Sequence, residues 1–351
     1  DGQFTAAATS ALYTDSNWTW VPLTSAADQA NFANWYSYYR TRTMAAVTAM
    51  ALAYAPFNKN VRVAWQNINS SSSRISNSTK IFKFVDDATT NYVRTRFYDW
   101  LFAMPASGGT PNRTAVKRVG TYFTNRTGAA DNNPYWDRDV GKELVCRQNF
   151  HIQMTDGMWN SDNPTTPRND TTNVTPLPDG RHFSTSDPES KIVWNEAGNS
   201  VVTMADLAFY YWSQDLQAGV TSGVFSDAAN RLKVPPHIAD TSTNLFGTSW
   251  ATGTDARDNK EIYWNPVNDP ANWPHLVQYM IGFGAAGTLG NNDTTYLGLR
   301  NGTIAWPVPV VSSDDGRKID DMWHAALNSR GEYFAASSPS ELVQALKKII
   351  N

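Results

Sequence analysis

The chain has 351 residues, with 29 Lys and Arg against 32 Asp and Glu and a formal net charge of −3. That near-neutral balance excludes the basic footprint of a dedicated nucleic-acid-binding domain, and an aromatic content of 13%, including 14 Trp, excludes a disordered chain. The one cysteine, Cys146, excludes an internal disulfide and leaves that thiol either buried and reduced or paired outside the chain.

Residues 1–27 are small and polar, with Trp18 and Trp20 as anchors, and read as an extended N-terminal arm. The opening Asp1-Gly2-Gln3-Phe4 does not read as a signal peptide. Residues 28–351 read as one domain. Phe32, Trp35, Tyr36, Tyr39, Thr43, Val47 and Met50 recur at three- and four-residue steps, which predicts a helix from Asp28 to Tyr54, stopped by Pro56. At that spacing Trp35, Tyr36 and Tyr39 are expected in the core. Val61–Ile68 and Ile81–Val85 read as strands, and Asn91–Met104 and Asn112–Phe123 as helices. Phe150–Met154 reads as a short strand. Residues 158–200 are dense in Asn, Asp, Thr and Pro and predict a long irregular insertion, with Asp162, Asp170 and Asp179 in solvated loop.

Ala205–Leu216 is expected as a helix, 218–272 as a second insertion of turns and short elements, and His275–Phe283 as a strand. Ile319–Asn328 predicts a helix and Glu332–Ala335 a last strand. Ser338, Pro339 and Glu341 predict the N-cap, N1 and capping-box positions of the final helix. No apolar run reaches the roughly 18 residues of a membrane-spanning helix. Helices alternating with short apolar strands predict an α/β fold, a mostly parallel sheet flanked by helices. Ligands of such sheets bind beyond the carboxyl ends of the strands. Two segments fall at that edge, Ser107-Gly108-Gly109-Thr110-Pro111 and Thr155-Asp156-Gly157.

A strand ending in Thr155-Asp156-Gly157, with a Gly-Gly-Thr-Pro loop opening a helix, resembles a von Willebrand factor A domain, a Rossmann-like fold. Four blocks narrow the resemblance: Asn31 to Arg42, Cys146 to Asn160, Ala205 to Tyr211 and Ile319 to Gly331. Together they resemble the A-type domain of the PilC/PilY family of type IV pilus tip adhesins and assembly factors, from about residue 30 to the end. The resemblance implies a bacterial, exported, cell-surface protein acting in adhesion, pilus assembly and twitching motility. It implies minor pilins and a host or abiotic surface ligand as partners, with a C-terminal β-propeller in the full-length protein. In such domains an Asp-x-Ser-x-Ser strand supplies metal ligands. No such motif precedes the Asn31 block, and the nearest match is Asp15-Ser16-Asn17-Trp18-Thr19.

The candidate metal ligands are Thr110 and Asp156, a hydroxyl and a carboxylate from two loops that suit a divalent ion, Mg²⁺, Mn²⁺ or Ca²⁺. Trp159 and Asn160 are expected at the rim of the ligand site. The competing reading makes Thr110 a helix cap and Asp156 a turn cap. Correspondingly, a metal-free scaffold contacting minor pilins is the alternative function. No nucleophile, base and oxyanion set can be assembled, so the chain reads as a non-enzyme. Cys146 with His151 reads as a structural or externally paired cysteine, Asp320 with His324 as a structural ion pair or hydrogen bond on one helix face, and His275 as a capping or packing residue.

Overall fold

The computed structural model describes residues 14–70, 81–88, 92–104, 107–124, 133–137, 141–143, 147–160, 162–198, 201–218, 234–250 and 255–350. Cys146 lies outside the described residues. The chain divides into two compact units, Asp1–Thr48 and Ala49–Asn351.

The first unit contains a short 3₁₀ turn, Asp15–Asn17, the helix α1, Ala26–Tyr38, and the start of α2, Arg42–Tyr54. The Ser25 hydroxyl caps α1 by accepting from Asp28 N at 3.0 Å. The single helix expected from Asp28 to Tyr54 is therefore two. The break has a local cause: the Thr41 hydroxyl accepts from Met44 N at 3.2 Å and starts a new helix, while Arg40 donates to the Tyr36 carbonyl at 2.9 Å. A Thr side chain that offers the backbone its own hydrogen bond interrupts helices in this way. No residue of α1 is buried. Trp35 and Tyr36, expected in the core, are about half exposed, at 49% and 52%, and pack with Phe32 on the surface.

The second unit is mixed α/β. Its sheet has three parallel strands in the order β5 (Asn149–Thr155), β6 (Leu276–Phe283), β7 (Tyr333–Ala336). Asn149 pairs with Leu276 and Thr155 with Gly282, and Met280 to Phe283 pair with Tyr333 to Ala336. The central strand β6 is buried at every position except Tyr279, as a parallel strand covered on both faces requires. Two small antiparallel pairs accompany the sheet: β1 (Arg62–Val63) with β2 (Phe82–Lys83), and β3 (Trp136–Asp137) with β4 (Lys142–Glu143). The strand expected over 61–68 is thus two residues long.

Helices α3 (Val93–Phe102) and α4 (Asn112–Thr124) precede the sheet. The short α5 (Lys191–Trp194), α6 (Met204–Trp212), short α7 (Lys260–Tyr263) and α8 (Asp293–Asn301) lie in or between the insertions and β7. Helices α9 (Arg317–Asn328) and α10 (Pro339–Ile350) flank β7 in sequence. In α10 the Ser338 hydroxyl accepts from Glu341 N at 3.3 Å as expected. The Glu341 carboxylate closes back on Ser337 N, one residue further out, at 2.7 Å. Helix α9 is buried from Lys318 to Asn328, all around its circumference. Its Ala325 and Ala326 meet the core beside Ala205 and Ala208 of α6, small residues that let packed helices approach.

The insertion at 158–200 is not a solvated loop. Val174, Leu177, Phe183, Ile192 and Val193 enter the main core with Trp159, and each such side chain contributes about 1.5–3 kcal/mol of burial. The carboxylates expected in solvent are also inside. Asp170 is fully buried, Asp162 pairs with Arg113, and Asp179 accepts from Arg181 and from the Tyr263 hydroxyl, both at 3.0 Å. The second insertion contributes Ile262, Tyr263 and Trp264.

Candidate functional site

At the carboxyl end of β5 the Thr155 hydroxyl accepts from Gly157 N at 3.1 Å and from Asn112 Nδ2 at 3.4 Å. Gly157 holds a left-handed φ of +85°, and a Cβ there would collide with Ile319 and Met322 of α9. The 107–111 and 155–160 loops meet, as the sequence predicts. Asn160 joins them twice: its Oδ1 accepts from Thr110 N and its N donates to the Thr110 carbonyl, both at 3.1 Å. Thr110 and Asp156 are half-buried. The Asp156 carboxylate accepts a long bond, 3.4 Å, from Met158 N. The first turn of α4 is capped by Asp162 from the insertion, whose Oδ2 accepts from Thr114 N at 2.8 Å.

Trp159, expected at the rim, is completely buried. Its ring carries two cations, the Arg113 guanidinium 4.0 Å and the Lys318 ammonium 4.7 Å from its centroid. Lys318 donates to the carbonyls of Trp159 and Ser313, both at 2.7 Å, and burial lowers its pKa. The bond to Trp159 ties the edge loop to α9, and those to Ser313 and Val311 (3.3 Å) tie down the segment leading into the helix.

Beneath the loops α9 carries a second polar assembly. Asp320 does not pair with His324. It accepts from Thr288 N at 2.9 Å and Leu289 N at 3.1 Å. Asp321 caps α6, accepting from Met204 N at 3.0 Å and Ala205 N at 3.1 Å. Asp206 forms a capping box with Thr203 and accepts from Asp170 N at 2.9 Å. His324 stacks on Trp306 with ring centroids 4.4 Å apart, and its Nε2 is 2.7 Å from the Val193 carbonyl. Its Nε2 also lies 3.6 Å from Asp170 Oδ2, and its Nδ1 3.8 Å from Glu196 Oε1.

The electrostatics of this interior are dominated by desolvation. Burial, then the like charges of Asp206 and Asp321, push Glu196 up to about 9. Burial, then Asp206 and Glu196, hold Asp170 well above the carboxylate range. Burial raises Asp321 to about 7 against the N–H groups of Met204 and Ala205, and lowers His324 to about 3. The imidazole is therefore neutral beside a cluster of carboxyls. Sequence reasoning placed Asp170 in a solvated loop and passed over Glu196, Asp206 and Asp321. Thr203-x-x-Asp206 before an apolar run is a readable capping box, but nothing in the sequence joins residues 170, 196 and 324.

Elsewhere, His275 Nε2 lies 2.8 Å from Asp269 Oδ2, in the core rather than in an edge site. His151 faces Gln278 across the sheet at 3.0 Å, and burial lowers its pKa to about 4. An open groove of about 480 Å³, lined by α4 and α6 residues such as Lys117, Thr121 and Tyr210, holds none of the predicted ligands.

A parallel α/β sheet with paired loops at its carboxyl edge is the setting in which the comparisons fall. The chain is similar to a region of type IV pilus biogenesis factors. These relatives are PilY1 proteins of Pseudomonas aeruginosa. The identity is 37% over 352 aligned residues for strain PAK, covering 97% of the chain and 27% of the relative. It is 35% for strain PAO1, covering 93% and 26%, and 35% for strain UCBPP-PA14, covering 92% and 25%. The chain thus spans about a quarter of the length of the curated relatives it matches. No family profile and no solved structure matches it. Among the described residues no helix is long and apolar enough to cross a membrane.

Proposed function

We propose that the chain is a non-enzymatic adhesion and assembly module of a type IV pilus system, exported and carried at the pilus tip. In this reading the fold is a von Willebrand A-like domain that contributes to pilus biogenesis and twitching motility. The observation that carries the proposal is the similarity to PilY1 along 97% of the chain. The module binds at the carboxyl edge of the sheet. There Thr110 and Asp156 hold a divalent ion whose remaining position is filled by a carboxylate of the ligand. Its partners are minor pilins, a host or abiotic surface and the remainder of the full-length protein.

The test is Asp156→Ala and Thr110→Ala in the full-length protein, scored for surface piliation, twitching and adhesion, with calorimetric titration of Mn²⁺ and Mg²⁺ into the chain. Adhesion and metal binding lost together support the edge site. Unchanged adhesion with no saturable binding supports the second reading, a metal-free scaffold contacting minor pilins. That reading is favoured by Asn160, which closes the two edge loops on each other through direct hydrogen bonds.

A further inference from the structure

We propose that Asp170, Glu196 and His324 form a second, buried site for one divalent transition-metal ion, Mn²⁺ or Zn²⁺, independent of the carboxyl edge. One ligand atom from each residue can be taken so that all three lie within 4.8 Å of one another. Atoms bound to one metal at about 2.0–2.2 Å stand roughly 3–4 Å apart, so the most distant pair has to close by about 1–2 Å, and Asp170, whose Oδ2 now lies 3.6 Å from Nε2, has to turn toward Nδ1.

The imidazole is already oriented for this role. Its Nε2 donates to the Val193 carbonyl at 2.7 Å, which leaves Nδ1 with the lone pair. A backbone carbonyl on the far nitrogen is the usual support of a ligating histidine. The Trp306 ring, 12° from parallel, fixes the plane. Nδ1 then faces Glu196 Oε1 across 3.8 Å, a gap that a cation displacing the carboxyl proton would fill.

Asp170 supplies a separate observation. Its side chain is wholly buried, Oδ2 accepts from Asn328 Nδ2 at 2.9 Å, and no N–H or hydroxyl among the described residues reaches Oδ1, while the carboxyl stands beside that of Asp206. A buried carboxylate oxygen without a partner is costly unless something cationic reaches it. The neighbouring Asp321 is held by Met204 N and Ala205 N of α6, and Asp206 by Thr203 N and Asp170 N. One nitrogen with two carboxylates suits Mn²⁺ or Zn²⁺. Ca²⁺ and Mg²⁺ prefer oxygen alone. The rival arrangement is a proton shared between Glu196 and Nδ1.

The test is metal analysis of the 351-residue chain refolded with Mn²⁺ or Zn²⁺ and then dialysed against a chelator. The wild type and Asp156→Ala are expected to retain one equivalent, and His324→Gln and Asp170→Asn to lose it. Because those core variants risk misfolding, the Mn²⁺-loaded wild type is also measured by pulsed electron paramagnetic resonance. Coupling to a directly bound imidazole nitrogen is expected. Retained Mn²⁺ without nitrogen coupling overturns the proposal. So does a chain that holds no metal and melts at the same temperature with and without it. Loss of binding in Asp156→Ala alone would locate the ion at the edge and also overturn it.

Discussion

Removing Asp162 should destabilise the chain more than removing Asp162 and Arg113 together. The two side chains are 3% and 1% exposed, and Nε meets Oδ1 at 3.0 Å. Asp162→Ala leaves a guanidinium in the interior without its counter-charge, a change that costs about 3–5 kcal/mol for buried pairs. Arg113 keeps the Asp162 and Val202 carbonyls and the Trp159 face, which places the loss near 3 kcal/mol. The α4 cap bond to Thr114 N is lost as well, adding about 1 kcal/mol. A total of about 4 kcal/mol is expected for the single variant. In Arg113→Met/Asp162→Ala the orphaned charge is gone, and the loss should fall by about 2 kcal/mol. Urea unfolding followed by tryptophan fluorescence measures both. A single-variant cost below about 1 kcal/mol, or a double variant less stable than Asp162→Ala, refutes the reasoning.

Gly157→Ala forces a Cβ onto a left-handed backbone and into Ile319 and Met322, and should cost about 3 kcal/mol in a thermal melt, partly relieved by Ile319→Ala. Asn160→Ala should speed amide exchange at Thr110 and Asn160 with little change in global stability, since it removes one of the two bonds joining the edge loops. The His275–Asp269 pair sets a pH dependence. Burial pulls His275 down, but the Asp269 carboxylate, its hydrogen bond and the Trp273 carbonyl outweigh burial and the repulsion of Arg330, so the pKa stands above 6.5. Burial raises Asp269, and His275, the Trp212 indole and Arg330 outweigh it to leave the pKa below 3.8. The histidine's contribution is full below pH 6.5 and is lost as pH rises through its folded value. The aspartate's is full above 3.8 and is lost in acid. His275→Gln should therefore flatten the loss of stability above pH 6.5, and an unchanged slope refutes the assignment.

The parts legible in the sequence are those with a local signal. The buried run Leu276–Phe283, the strand ending at Thr155 and the helices at 112–124 and 317–328 announce themselves by period or by apolar continuity. The edge loops were legible because Thr155-Asp156-Gly157 and the Gly108-Gly109 turn are short-range chemistry. Trp159 was misplaced because two cations 46 and more residues away from one or the other side, Arg113 and Lys318, take it into the core. In the insertion the apolar residues Val174, Leu177, Phe183, Ile192 and Val193 follow neither a 2 nor a 3.6 period, so polar composition masked a core segment. The cluster around His324 is a purely tertiary fact, assembled by α9 from three distant segments.

That assembly has a kinetic consequence. The bonds that close the core span long stretches of chain: 117 residues from Met204 to Asp321, 131 from Val193 to His324, 158 from Asp170 to Asn328 and 159 from Trp159 to Lys318. Contacts of such separation slow folding, because loop closure must precede any reward from the contact. All four wait for residues 317–328, which arrive after both insertions have been synthesised. Until then the faces of β6 and α6 that α9 covers stay exposed, and exposed apolar surface of that kind draws chaperones and favours aggregation. A fragment ending before Arg317 should therefore show neither protected amides in β6 nor a cooperative melt, and addition of residues 317–351, which carry α9, β7 and α10, as a peptide should restore both.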